Sequence, residues 1–121
     1  MDKLVIIPTY NEKENIEAII TAVMNLPLEY HVLIIDDGSP DGTAAIVKDL
    51  MANKYTGKLH LIERAGKQGL GTAYITGFKW AIEHKYDYIF EMDADFSHNP
   101  EDLLKLYDAC ANKGADVAIG S

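Results

Sequence analysis

The chain has 121 residues, 48% hydrophobic and 25% charged, which suits the core of one domain and leaves no room for a second. A formal net charge of −8, with 11 Lys and Arg scattered against 19 Asp and Glu, excludes a nucleic-acid backbone as partner, because that contact needs clustered basic residues. The single Cys110 excludes an internal disulfide and reads as an inert core thiol, and no apolar run approaches the length of a membrane-spanning helix, so the chain as given is expected to be cytoplasmic.

The first element is a strand near 3–8, Leu4-Val5-Ile6-Ile7, an apolar stretch too short for a signal peptide. It runs into Pro8-Thr9-Tyr10-Asn11-Glu12. Ile16, Ile19, Ile20, Val23 and Met24 then recur at the spacing of one apolar helix face. A second strand near 31–36 leads into Asp36-Asp37-Gly38-Ser39-Pro40-Asp41-Gly42-Thr43, and Ile46, Val47, Leu50 and Met51 repeat the helical pattern. A third strand near 59–63 precedes Arg64, Lys67 and Gly69-Leu70-Gly71, where a helix opens that runs to about His84. A fourth strand near 87–92 delivers Asp93-Ala94-Asp95-Phe96-Ser97-His98-Asn99-Pro100-Glu101. A helix from Pro100 carries Leu103, Leu104, Tyr107 and Ala111 on its buried side, and a last strand spans 116–119. This alternation is that of successive βαβ units, an α/β domain with a mostly parallel sheet. Such a sheet needs both faces covered, and only Gly120-Ser121 follow the last strand, so the chain is expected to be a truncated part or minimal half of a longer enzyme.

Three polar clusters begin where a strand ends. Parallel strands point their carboxyl ends the same way, so the clusters are expected to meet at one rim of the sheet. Helix starts account for some of their members. Asn11 with Glu14 forms a capping-box-like pair, Asp41 precedes the second helix, and Asn99-Pro100 with Asp102 reads as a cap followed by proline at the first helical position. Capping does not require the pairs Asp36-Asp37 or Asp93-x-Asp95, whose like charges destabilise one another unless a cation or donor offsets them.

Tyr10, Glu12, Asp36, Asp37, Asp93 and Asp95 are therefore the functional candidates. Tyr10 is placed to stack on a flat base or to stand as a half-buried aromatic, and Glu12 or Asp37 to accept from base or ribose donors. Asp95 suits a divalent cation shared with a diphosphate, with Asp93 as second ligand or ribose contact, because magnesium is usually held by one or two carboxylates plus phosphate oxygens. His98 is either a further ligand or a surface histidine. Arg64 and Lys67 either neutralise phosphate oxygens beside the glycines or stand in solvent. Two phosphate motifs are excluded: Tyr74 occupies the place of the third glycine of a dinucleotide fingerprint, and Gly66-Lys67 is followed by Gln68 without the upstream glycine of a P-loop.

Taken together, the clusters at 8–12, 36–43, 69–74 and 93–98 resemble those of inverting family 2 glycosyltransferases with the Rossmann-like GT-A fold, and within that family the dolichyl- and polyprenyl-phosphate mannosyltransferases. The resemblance spans essentially the whole chain and implies that residues 1–121 are the N-terminal, nucleotide-sugar-binding part of a catalytic domain. It implies transfer of mannose from GDP-mannose to a polyprenyl phosphate with Mg2+ or Mn2+, peripheral to the cytoplasmic side of a membrane. By position it assigns Pro8, Tyr10, Glu12, Ile35 and Asp37 to the nucleotide; Lys67, from its own reading as a neutraliser of phosphate oxygens, is counted with the residues that bind the donor. Asp93, Ala94 and Asp95 fall to metal and donor sugar, with Asp93 and Asp95 as metal ligands and catalytic residues. Ser97 stands where some relatives offer a Gln to the metal, and relatives continue into an arginine-bearing segment beyond residue 121.

A phosphate monoester is already ionised near neutral pH and attacks an anomeric carbon without a strong general base. The protein's task is then mainly positioning, plus metal stabilisation of the departing diphosphate. The alternatives are another donor such as UDP-glucose, a polysaccharide acceptor, a non-catalytic nucleotide-binding module, or a nucleotidyltransferase, which would release pyrophosphate.

Overall fold

A computed structural model describes residues 3–65, 70–92 and 117–119. In chain order these form β1 (Lys3–Thr9), α1 (Ile16–Met24), β2 (His31–Asp36), α2 (Thr43–Asn53), β3 (Leu59–Glu63), α3 (Leu70–Glu83), β4 (Tyr88–Glu91) and β5 (Val117–Ile119). The expected helix from Pro100 and Cys110 lie outside the described residues.

Every strand pair among the described residues is parallel, in the order β3-β2-β1-β4-β5. The chain steps outward from β1 to β2 and β3, then crosses back to place β4 on the other side of β1. That reversal makes the gap beyond the ends of β1 and β4 the topological switch point, where open α/β sheets bind ligands. Register is set by apolar residues on both faces: Val5 lies beside Val32 and Phe90, and Ile6 beside Leu33 and Glu91.

The pleat divides β1 between two cores. Val5 and Ile7 join Val32 and Ile34 under Ile16, Ile19, Ile20 and Val23 of α1 and Val47 and Leu50 of α2. Leu4 and Ile6 join Leu33, Ile35 and Ile89 under Ala73 and Ala81 of α3. Most of these side chains are fully buried, and each contributes about 1.5–3 kcal/mol when it is a large aliphatic. Continuous apolar strands of this kind are what two covered faces require.

Helix α3 sits close to the sheet because residues 73, 77 and 81, four apart, are Ala, Gly and Ala. A Cβ at Gly77 would stand 2.7 Å from Ile6 Cγ2 and 2.9 Å from its Cδ1, which no real contact tolerates. At the opposite end of this face, His31 and Tyr86 share a 2.9 Å hydrogen bond between Nδ1 and Oη. Trp80 stacks on His84 with ring centroids 3.9 Å apart and lies 4.9 Å from His60. Burial, followed by the nearby His31 and His84, lowers the basicity of His60 below the ordinary histidine value of 6.5.

Candidate functional site at the carboxyl rim of the sheet

The polar residues after β1 and β2 meet at the switch-point rim. Thr9 lies beside Asp36 in the register of β1 and β2, and its Oγ1 donates to Asp36 Oδ1 at 2.8 Å. Asp36 is 1% exposed. It accepts further from Ser39 Oγ to Oδ1 at 2.6 Å and from Ser39 N to Oδ2 at 3.0 Å. Although the sequence offers Asp36 as a functional candidate, its carboxylate is turned inward and fastens the two loops together.

The loop after β1 differs from a helix cap. Asn11 takes a left-handed backbone, φ 56°, which asparagine tolerates better than other non-glycine residues. Helix α1 begins only at Ile16, and Asn15 at its cap position makes no side-chain cap bond. The capping role expected of Asn11 is therefore corrected: its amide donates to Ser39 Oγ across the rim at 2.8 Å. The next two amides do the same, Glu12 N to Thr43 Oγ1 at 3.1 Å and Lys13 N to Asp41 Oδ2 at 3.0 Å. Asp41 also accepts through Oδ1 from Thr43 N at 3.0 Å and Thr43 Oγ1 at 2.6 Å, so it does serve the start of α2, after Gly42 at φ 93°. The hydroxyl of Thr43, then the Lys13 and Thr43 amides, hold the Asp41 carboxyl below its ordinary value despite an opposing desolvation.

Asp37 is the second acid of its pair and has a different neighbour. Arg64 donates Nε to Asp37 Oδ1 at 2.6 Å and Nη2 to Oδ2 at 2.8 Å, with side-chain exposures of 9% and 8%. Its Nη1 reaches Thr72 Oγ1 in α3 at 3.0 Å, and its amide donates to Asp36 O at 2.7 Å. Placing Arg64 in solvent is thus corrected. The signal was present in the strand order, because Asp36 pairs with Glu63 and the next residues on each strand are Asp37 and Arg64.

Of the other expected nucleotide residues, Tyr10 is 37% exposed at the rim, Glu12 and Pro8 are half-buried beside it, and Ile35 is fully buried beneath. These gather with Asp37 at one edge. Lys67, Asp93, Ala94, Asp95, Ser97, His98 and Asn99 lie outside the described residues. The neighbouring backbone is described as far as Met92, whose amide donates to Ile6 O at 3.0 Å, so β4 leaves the sheet beside β1 at this same edge. Among the described residues no group of His, Cys, Asp and Glu could hold a metal ion.

The match that decides the family runs over residues 4–121, against the profile of Glycosyl transferase family 2. The chain belongs to glycosyl transferase family 2. Relatives of this family 2 chain include the polyprenol monophosphomannose synthase of Mycolicibacterium smegmatis, 49% identical over 98% of this chain and 44% of the relative. The undecaprenyl-phosphate mannosyltransferase of Micrococcus luteus is 44% identical over 100% of this chain and 48% of its own length. The dolichol-phosphate mannosyltransferase of Pyrococcus furiosus is 44% identical over 97% and 32%. The chain thus spans less than half the length of each. Among solved structures, the mannosyltransferase PcManGT of Pyrobaculum calidifontis, in complex with GDP-Man and Mn2+, superposes with a TM-score of 0.77 at 25% identity over 89% of this chain and 32% of that one. TarS of S. aureus, residues 1–349, superposes at 0.74 with 23% identity over 93% and 33%. The fold is that of the GT-A glycosyltransferases.

Proposed function

We propose that this family 2 chain carries the donor half of an inverting glycosyltransferase that moves mannose from GDP-mannose to a polyprenyl phosphate. The reading is supported by the shared carboxyl rim of β1 and β2, where the Asp37 amide donates to Thr9 O at 3.1 Å beside Tyr10, in a chain 49% identical to a polyprenol monophosphomannose synthase. Tyr10 stacks on the base, Glu12 accepts from base or ribose donors, Asp37 accepts through the lone pairs that the Arg64 fork leaves, and Pro8 and Ile35 form the wall and floor beneath them. Lys67 is assigned to the diphosphate, and Ala94 to the donor sugar, for which a small side chain leaves room.

The donor set at Asp93 and Asp95 fits a hard divalent cation, Mg2+ or Mn2+, since carboxylates are the ligands such ions prefer. When bound, the cation neutralises charge on the departing diphosphate. The chain's own residues hold the nucleoside still, which raises the effective concentration of donor at the acceptor phosphate. No helix among the described residues is long and apolar enough to cross a membrane. The resemblance to polyprenyl-phosphate mannosyltransferases, whose acceptor is a lipid phosphate, is what supports placing the full protein peripherally on the cytoplasmic face of a membrane.

Calorimetry on the full-length protein tests this reading. GDP is expected to bind in the presence of Mn2+ and to bind more tightly than UDP. Asp95→Ala is expected to abolish the Mn2+ dependence of GDP binding while leaving the far-UV circular dichroism unchanged. A preference for UDP would move the reading to another donor, and an unaltered metal dependence would refute the role of Asp95.

A further inference from the structure

The motif from Asp36 to Thr43 contains three residues whose side chains accept from the loop after β1, and Asp36, which accepts from Thr9 at the end of β1. Three successive amides of that loop, at Asn11, Glu12 and Lys13, donate to Ser39 Oγ, Thr43 Oγ1 and Asp41 Oδ2. Two of these acceptors are hydroxyls, and a hydroxyl has a single proton. Ser39 commits its proton to Asp36 Oδ1 and Thr43 commits its own to Asp41 Oδ1, each at 2.6 Å. The oxygen lone pairs are left facing the amides. Each relay therefore has a fixed direction, from amide to hydroxyl to carboxylate, and the charged end strengthens it.

What the relays restrain is a left-handed turn. Asn11 lies at φ 56°, a conformation that is costly for most residues with a Cβ and that asparagine adopts at a smaller cost, so the contacts of its neighbours select it. It sits between Tyr10 and Glu12. Neither Ser39 nor Thr43 has its proton available to a ligand, and Thr43 is fully buried.

We propose that Ser39 and Thr43, anchored by Asp36 and Asp41, are positioning residues for nucleotide binding: they lock the turn at Asn11 so that Tyr10 and Glu12 are already oriented when the donor arrives. The proposal rests on the assignment of Tyr10 and Glu12 to the nucleoside. Preorganisation lowers the ordering cost of binding and leaves the chemical step alone, so its loss appears in donor affinity and not in turnover at saturation.

The test uses the full-length protein with GDP and Mn2+ as the binding probe and GDP-mannose turnover as the second readout. Ser39→Ala is expected to weaken GDP binding about tenfold, the equivalent of one lost hydrogen bond to a relay that ends on a charge. It should raise KM by a similar factor and leave kcat within about twofold. Ser39→Thr, which keeps the hydroxyl, should restore affinity. Thr43→Val, which removes only the hydroxyl from a buried side chain of the same shape, should weaken binding through the Glu12 amide and provides the measurement if Ser39→Ala does not fold. Tyr10→Ala separates the two readings. If Tyr10→Ala weakens GDP binding but neither Ser39→Ala nor Thr43→Val does, the positioning role is overturned and the nucleoside assignment stands. If Tyr10→Ala binds GDP normally, the assignment falls and takes the positioning role with it. A drop in kcat with unchanged KM would also overturn the proposal.

Discussion

Replacing Arg64 by Met removes the guanidinium fork from Asp37 while keeping much of the side-chain volume. The two partners are 9% and 8% exposed and meet in a fork of 2.6 and 2.8 Å, so little water stands ready to solvate the carboxylate left behind. Breaking a buried pair by deleting one member costs about 3–5 kcal/mol, most of it the penalty of an uncompensated charge. Since a domain of this size is stable by about 5–15 kcal/mol, the variant should survive at 25 °C with a much reduced margin. At a urea slope of about 2 kcal/mol/M, the unfolding midpoint should fall by about 1.5–2.5 M at pH 7. Adding Asp37→Asn to Arg64→Met removes the charge and should recover a large part of that loss. Arg64→Lys should recover little, because a point charge on a flexible stem cannot reproduce the fork or the third contact to Thr72. A midpoint for Arg64→Met within about 0.3 M of the parent would refute the argument, as would a double variant less stable than the single one.

Gly77→Ala should cost about 1–3 kcal/mol, because the new methyl would press on Ile6 Cγ2, a branched atom in a fully buried side chain that cannot swing away. Urea unfolding measures it, and Ile6→Ala in the same molecule should be less damaging than the two single losses summed; strict additivity would sink the steric account. His60 is less basic folded than unfolded, so the unfolded chain binds the extra proton. Its contribution to stability is intact above pH 6.5 and is lost as pH falls through 6.5 toward the lowered folded value. The melting temperature should therefore decline between about pH 7.5 and 5.5, and His60→Gln should decline less; parallel curves would show that the cluster of His31, His60 and His84 exerts no such effect.

The sheet was readable because its strands are apolar on both faces and its helices carry one apolar stripe, patterns that leave little choice of layer. The meeting of the clusters at 8–12 and 36–43 followed from parallel strands alone. The roles within the clusters were not readable, because the same residue types cap helices, bind ligands and tie loops together. Asp36 and Asp37 are adjacent and chemically identical, yet one faces inward to Thr9 and Ser39 and the other is held by Arg64. Only the neighbour across the sheet distinguishes them. Asn11 misled for a related reason, since a residue that accepts left-handed backbone also makes a good cap, and the local sequence does not say which property is used.

The amide contacts of the rim also have a kinetic meaning. Asn11 and Ser39 are 28 residues apart, and so are Lys13 and Asp41. Closing a loop of that length costs about 3 kcal/mol of chain entropy, far more than one exposed hydrogen bond returns. The contacts can persist only once β1, α1 and β2 have already condensed, and the rim is then assembled by the βαβ unit as a whole. A substitution deep in that unit, remote from any ligand, would reach the rim by loosening the frame on which it closes.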